Sequence, residues 1–157
     1  QGLMKEGQEK IMGFTTWHNY GYGVRTDNLK IKSVESVAKL VALAPKLQKE
    51  IQSYFHECEV SEPEIEDYFE FVEDENNGIA SLLKLVIEET EQLNLTACDD
   101  YEGRRYLLYQ PSYPWEYSKT DLYLTEEKLN ELYKKYLSVV TTDEFSTDYM
   151  EIENGDL

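Results

Sequence analysis

Basic side chains are scarce in this chain. Its 157 residues include 15 lysines and arginines against 32 aspartates and glutamates, so the formal net charge is −17 at pH 7. No Lys, Arg or His occurs between Glu57 and Leu83. A field of this sign repels nucleic-acid phosphates and anionic lipid headgroups, which disfavours direct binding to nucleic acid or to a membrane surface. The composition favours a basic protein partner instead.

Cysteine and histidine are also rare. Cys58 and Cys98 are too few for a disulfide framework, which predicts a reducing, cytoplasmic location. Two aspartates follow Cys98 and should raise the pKa of its thiol, whereas Cys58 ends an apolar stripe, which predicts a core position. With only His18 and His56, the chain has few candidates for a general base, and His56 is expected to complement a helix dipole.

Motifs for metal, phosphate or cofactor binding are missing. The acidic run from Glu73 to Gly78 resembles a calcium loop, but Lys84 stands where such a loop requires a bidentate Glu. Gly21 and Gly23 lack the third glycine of a phosphate-binding loop. No apolar run has the length of a membrane span or of a signal-peptide core. We therefore predict no cofactor, no metal site, no catalytic residues and no membrane association.

The aromatic and apolar residues that are present predict three strands. Alternation predicts a long strand over Phe14–Val24. Gly21 and Gly23 on one of its faces should either let a helix or another backbone come close or allow the strand to bend. Two further strands, Leu95–Cys98 and Arg105–Tyr109, are predicted to form a hairpin.

Helical spacing predicts the remaining elements. Ser33 is a suitable N-cap for a first helix, and we predict a second short helix with Pro45 in its first turn. A single helix kinked at Pro45 is the alternative. Three further helices are predicted. One begins near Pro63, one runs from Gly78 to Glu91, and one begins after Thr125, which is its N-cap. The helix from Gly78 to Glu91 is the most hydrophobic and is expected to be the most buried.

These elements predict an α+β fold, in which a small antiparallel sheet of about three strands packs against four or five helices. Residues 1–12 are interpreted as a tag remnant and N-terminal extension, because Gln1-Gly2 is typical of a protease scar. Residues 13–141 are predicted to form a single α+β domain. Residues 142–157 are predicted to form an acidic C-terminal tail, which either docks on the domain or stays a mobile peptide.

One predicted helix and its flanks carry a dense group of carboxylates. Apolar residues at helical spacing should face the core there, so that the acidic residues face solvent. Such a surface either engages a basic partner or is a solvated face. The candidate partner-binding residues of this surface are Glu62, Glu64, Glu66, Asp67, Glu70 and Glu73.

An aromatic arm follows the third strand. Pro111 and Pro114 end strand pairing and favour an extended, stiff backbone, which would present aromatic side chains at little entropic cost. The arm is either a docking surface for a peptide or small ligand, or a loop whose rings close one end of the core. The candidate partner-binding residues here are Trp17, Tyr113, Trp115 and Tyr117.

Three stretches carry a resemblance to a known group of proteins. They are Trp17-His-Asn-Tyr-Gly-Tyr-Gly-Val24, Tyr109-Gln-Pro-Ser-Tyr-Pro-Trp-Glu116 and Glu153-Asn-Gly155. In these stretches the chain is similar to small acidic hypothetical proteins of bacteria, including phage- or mobile-element-borne ones. That group has no assigned activity, so the resemblance implies no catalytic residues. It implies a role in host–phage or regulatory interaction.

Three hypotheses of function follow. The first is a non-enzymatic interaction protein, a regulator or inhibitor whose acidic surface engages a basic partner. The second is a peptide- or ligand-binding module that uses the aromatic arm. The third, a carboxylate-based enzyme, has no motif in its favour and requires a deep cleft holding a carboxylate with a raised pKa.

Overall fold

Four strands and five helices make up the part of the chain that the computed structural model describes, residues 17–74, 78–110 and 125–154, with the backbone alone for residues 17, 18 and 154. The predicted α+β class is confirmed, and the antiparallel sheet has four strands rather than about three. The elements are β1 (Trp17–Arg25), α1 (Val34–Ala42), α2 (Pro45–Glu57), α3 (Ile65–Phe71), α4 (Ile79–Glu91), β2 (Thr96–Asp99), β3 (Arg105–Tyr109), α5 (Glu126–Val140) and β4 (Asp148–Asn154).

Three of the predicted helix starts are found where the sequence placed them. The Ser33 Oγ accepts a hydrogen bond of 3.2 Å from the Ser36 N–H and caps α1. Pro45 is the first residue of α2, where its missing N–H costs no hydrogen bond, so two helices form and not one kinked helix. The Thr125 Oγ1 caps α5 by accepting a bond of 3.2 Å from the Lys128 N–H.

The helix α4 is the centre of the core, as predicted. It contacts β2, β3 and the helices α1, α2 and α5. Each fully buried aliphatic side chain of this kind stabilises the fold by about 2 kcal/mol. Six side chains of α4 are at most 1% exposed: Ile79, Ala80, Leu82, Leu83, Val86 and Ile87.

The sheet has the strand order β2-β3-β1-β4, and every neighbouring pair is antiparallel. The long strand β1 lies between two partners. Its second half pairs with β3, from Tyr22 opposite Tyr109 to Arg25 opposite Tyr106. Its first half pairs with β4, and the two pairings overlap at residues 22 and 23. The strand β1 therefore ties the hairpin of β2 and β3 to the C-terminal strand.

The sheet curls so that its two edge strands approach each other. The Tyr101 N–H, in the turn after β2, donates a hydrogen bond of 3.2 Å to the Glu153 carbonyl of β4. Leu108 and Ile152 are only 0% and 6% exposed, although both lie on the sheet face opposite the one that packs on the helices. The second face of the sheet therefore also has buried apolar side chains.

Two glycines of β1 allow the close approach of β3. A Cβ at Gly23 would overlap the Leu107 carbonyl oxygen and would also meet the Leu108 side chain at 2.7 Å. A Cβ at Gly21 would meet the Tyr109 carbonyl oxygen in the same way. The prediction that these positions admit another backbone is therefore confirmed.

The fourth strand comes from the segment predicted as an acidic tail. Thr147 lies just before β4. Its Oγ1 donates a hydrogen bond of 2.8 Å to the Asn130 Oδ1 and shares another, of 2.7 Å, with the Tyr22 hydroxyl. Where the tail begins, the Thr141 Oγ1 donates a bond of 2.7 Å to the Lys30 carbonyl. Of the two predicted alternatives, the docked tail is the one found over the described tail residues 142–154.

Candidate functional site

The predicted carboxylate group lies on α3 and on its flanks. The helix buries Tyr68 and Phe69, each 8% exposed, and this places its acidic residues towards solvent. Five of the six carboxylate residues are exposed, and Asp67 is half-buried. We call the six the acidic surface: Glu62, Glu64, Glu66, Asp67, Glu70 and Glu73.

The helix α3 begins at Ile65, two residues after the predicted opening at Pro63. The cause is a capping interaction within the acidic surface itself. The Asp67 Oδ2 accepts a hydrogen bond of 2.7 Å from the backbone N–H of Glu64, and this ends the preceding loop. Acidic residues in a first turn also complement the helix dipole. Glu64 and Asp67 therefore help to form the helix.

An aromatic layer fixes α3 on α2 beneath the acidic surface. The Phe55 and Tyr68 rings meet edge to face at 5.1 Å, and the Tyr54 and Phe71 rings do so at 5.4 Å. Loss of hydration raises the pKa of the Tyr54 phenol, and nearby negative groups that include Glu70 raise it further. These contacts give the carboxylates a rigid support.

No ion pair to the acidic surface is present within the described residues 17–74, 78–110 and 125–154. Several acidic residues elsewhere do have cationic partners. Asp27 accepts from the Arg25 Nε at 2.8 Å, and Glu88 lies 2.7 Å from the Lys84 Nζ. Further pairs are Arg104–Asp100, Arg105–Asp99 and Lys135–Glu91. The six carboxylates of the acidic surface thus lie close together in the chain without a cationic partner among the described residues.

The acidic surface is bounded by an arginine from the sheet. The Arg105 guanidinium contacts the Asp74 carboxylate, the residue after Glu73, and lies 2.8 Å from the Asp99 Oδ1. The Asp74 Oδ2 also accepts from the Ser81 Oγ at 3.3 Å. Asp74 thus joins the end of the acidic surface to both β3 and α4.

The predicted aromatic arm begins on the second sheet face. Gln110 accepts a hydrogen bond of 2.9 Å from the Thr96 Oγ1, and its Nε2 donates one of 3.1 Å to the Asn19 Oδ1. These bonds fix the point from which the arm starts. Trp17 lies in β1, but its side chain is not described, and the other predicted arm residues lie outside the described residues: Tyr113, Trp115 and Tyr117.

An exposed pair of tyrosines was missed by the sequence analysis. The Tyr20 and Tyr149 rings stack with centroids 5.9 Å apart and planes 10° from parallel, and they are 53% and 46% exposed. The only local sequence feature that pointed to this pair was the alternation of Tyr and Gly residues in β1. The pairing of β4 with β1, which brings Tyr149 to this place, has no local sequence signal.

The two cysteines differ from each other in environment. Cys58 is exposed, so the predicted core position is wrong: the buried stripe of α2 ends at Phe55, and Cys58 lies at the C-terminal cap. Burial, with a further effect of the Asp99 charge, raises the pKa of the Cys98 thiol to about 11. The predicted rise is confirmed. His56 is exposed in the last turn of α2, the position that was predicted for it.

We expect the two thiols to react with iodoacetamide at very different rates. At pH 8 a thiol with a pKa near that of Cys98 is ionised to about one part in a thousand, and the thiolate is the reacting form. Cys98 should therefore be alkylated at least ~10-fold more slowly than the exposed Cys58, as followed by mass spectrometry. The C58S variant should retain only the slow site and C98S only the fast one. Equal native rates would contradict the described burial.

Among residues 17–74, 78–110 and 125–154, no group of three or more His, Cys, Asp or Glu side chains is placed to hold a metal ion. No helix in these ranges has the length and apolarity to cross a bilayer. The chain matches no family model, no curated protein and no solved structure.

Proposed function

We propose that the protein is a non-enzymatic interaction protein of the cytoplasm, whose acidic surface engages a basic surface of a protein partner as a regulator or inhibitor. One observation carries the proposal. Six carboxylates lie within residues 62–73, and none of them has a cationic partner within the described residues. A basic partner surface would supply the missing countercharge.

The physical cost of this arrangement supports a binding role. Glu66 and Glu70 are four residues apart on α3, and like charges at this spacing destabilise a helix by about 0.2–0.5 kcal/mol per pair. A rigid field of one sign also accelerates association with a complementary surface and disfavours partners of the same sign. The same field disfavours nucleic acid and anionic membranes as partners.

The pKa shifts among the described carboxylates give no support to the enzyme hypothesis. Hydrogen bonds from Arg25 hold the pKa of Asp27 below its usual range. Burial acts to raise the pKa of Asp100, but hydrogen bonds donated by Arg104 outweigh it and the pKa is lowered. A carboxylate acting as a general acid requires a shift in the opposite direction.

The test uses two variants with the same change of net charge. The first replaces four exposed acidic-surface residues and keeps Glu64 and Asp67, because these two cap α3. It combines Glu62→Gln, Glu66→Gln, Glu70→Gln and Glu73→Gln. The control combines four exposed residues from other parts of the chain: Glu50→Gln, Glu127→Gln, Glu131→Gln and Glu144→Gln.

We expect wild type to capture a basic protein from cell lysate in about 0.1 M salt and to release it in about 1 M salt, where the Debye length falls from about 10 Å to about 3 Å. For the purified partner, the acidic-surface variant should bind at least ~10-fold more weakly, and the control should bind as wild type does. If both variants bound the partner equally weakly, the attraction would depend on net charge and not on the acidic surface, which would contradict the proposal.

A second candidate function is a peptide- or ligand-binding module that uses the aromatic arm. The hydrogen bonds of Gln110 to Thr96 and Asn19 support it, because they fix the first residue of the arm on the sheet. Binding that survives both high salt and the acidic-surface variant, and is lost on Trp115→Ala, would favour this function over the first.

A further inference from the structure

The paired strands β1 and β4 form a ribbon with side chains exposed on its helix-side face. In the register, Tyr22 is opposite Tyr149, Tyr20 is opposite Glu151, and residue 18 is opposite Glu153. Paired residues of antiparallel strands point to the same face, so the two tyrosines and the two glutamates share one face. All four are exposed. We call Tyr20, Tyr149, Glu151 and Glu153 the ribbon face.

A buried side chain holds the two tyrosines of the ribbon face in place. The Tyr22 ring, only 6% exposed, meets the Tyr149 ring edge to face at 5.2 Å. The Tyr22 hydroxyl is itself within 2.7 Å of the Thr147 Oγ1. Tyr149 then stacks on Tyr20, so two parallel rings are presented to solvent without the loss of freedom that ordering them on binding would require.

The chemistry of this face is complementary to a cation. Aromatic rings carry a negative electrostatic potential on their faces and attract ammonium and guanidinium groups. Glu153 adds a carboxylate on the same side of the ribbon. A guanidinium fits both parts, because it is planar, stacks on aromatic rings and donates hydrogen bonds to carboxylates. The only cation–ring contact found among the described residues is elsewhere, between Lys135 and Tyr136.

We propose that the ribbon face is a docking site for an arginine side chain of a protein partner, with the guanidinium stacked on the tyrosine pair and hydrogen-bonded to the Glu153 carboxylate. Charge complementarity selects this occupant. A carboxylate, phosphate or anionic lipid headgroup would meet the Glu153 carboxylate and the negative faces of the rings. The ribbon face shares no residue with the acidic surface, so the two sites can be tested separately.

The probe is a short peptide of alternating glycine and arginine, compared with its lysine counterpart by isothermal titration calorimetry at about 0.15 M salt. The ratio of the two dissociation constants is the readout, because non-specific attraction to a chain of charge −17 acts on both peptides. We expect wild type to prefer arginine roughly fivefold. Tyr20→Leu should abolish the preference, and Tyr20→Phe, which keeps the ring face, should retain it.

Two control variants separate this inference from the proposed function. Tyr101→Leu removes a tyrosine that is 66% exposed in the hairpin turn, and it should leave the ratio unchanged. The four-glutamine variant of the acidic surface should weaken both peptides and keep their ratio. Absence of an arginine preference in wild type, or a preference that survives Tyr20→Leu, would overturn the ribbon-face site whatever happens to the acidic surface. Thermal unfolding of Tyr20→Leu checks that the variant is folded.

Discussion

Replacing Gly23 with alanine is expected to lower the free energy of unfolding by about 3 kcal/mol or more. The added Cβ would overlap the Leu107 carbonyl oxygen, which is backbone and cannot turn away as a side chain can. The strand cannot shift to relieve the overlap, because Gly23 is paired with β3 on one side and with β4 on the other. Urea unfolding followed by circular dichroism measures the loss as a lower midpoint.

A second glycine provides the comparison for Gly23→Ala. Gly103 has a φ of +84°, and no heavy atom lies within 4 Å of the place where its Cβ would be. Gly103→Ala should therefore cost about 1–2 kcal/mol, which is the penalty of a left-handed conformation without any steric overlap. If Gly23→Ala proved no more costly than Gly103→Ala, the close approach of β1 and β3 would be disproved.

The parts of the fold that sequence predicted well are those decided by local patterns. The strand Arg105–Tyr109 has the predicted bounds, because an aromatic and apolar run ends at a proline. The helix α4 was recognisable from its apolar stripe, and the caps at Ser33 and Thr125 from side chains that can accept a hydrogen bond from the next turn. Each of these signals lies within a few residues of its effect.

The parts that sequence missed depend on partners far away in the chain. The strand β4 pairs with residues more than a hundred positions earlier, and nothing in its own sequence specifies that partner. The stacking of Tyr20 on Tyr149 follows from this pairing and was missed with it. The exposure of Cys58 was missed because a stripe of apolar residues does not show at which residue its helix ends.

The same distinction between local and long-range signals applies to the candidate site. The outward direction of the α3 carboxylates followed from the helical spacing of Tyr68 and Phe69, and the lack of local cations followed from composition. The capping role of Asp67 and the contact of Arg105 with Asp74 did not follow, because both depend on side-chain geometry in the folded chain. Sequence therefore located the acidic surface but not what fixes its ends.

Removing the Arg105 guanidinium with Arg105→Met is the second change with a large expected effect, a loss of about 2–3 kcal/mol of unfolding free energy. The Arg105 and Asp74 side chains are 20% and 14% exposed, so the variant leaves a largely buried carboxylate without its cation. Fully buried pairs lose about 3–5 kcal/mol when one partner is removed, and the partial exposure of this pair lowers that figure.

A double-mutant cycle with Asp74→Asn measures the coupling between the two side chains. The cycle should yield a coupling free energy of about 1–2 kcal/mol, because removal of both charges avoids the unpaired carboxylate. The exposed pair of Lys135 and Glu91 is the control, with exposures of 66% and 30%. Lys135→Met should cost no more than about 0.5 kcal/mol. Equal costs for the two pairs would mean that Arg105 is as well solvated as Lys135.

The same variant distinguishes the geometry of the acidic surface from its charge. Arg105→Met makes the chain more negative by one charge, so attraction to a basic partner through net charge alone should increase. The proposed surface requires α3 to be held in place, and Asp74 attaches its end to the sheet through Arg105. We therefore expect weaker partner binding despite the added negative charge, as measured by calorimetry below the unfolding transition. Unchanged or tighter binding would mean that the partner senses the amount of negative charge and not its placement on α3.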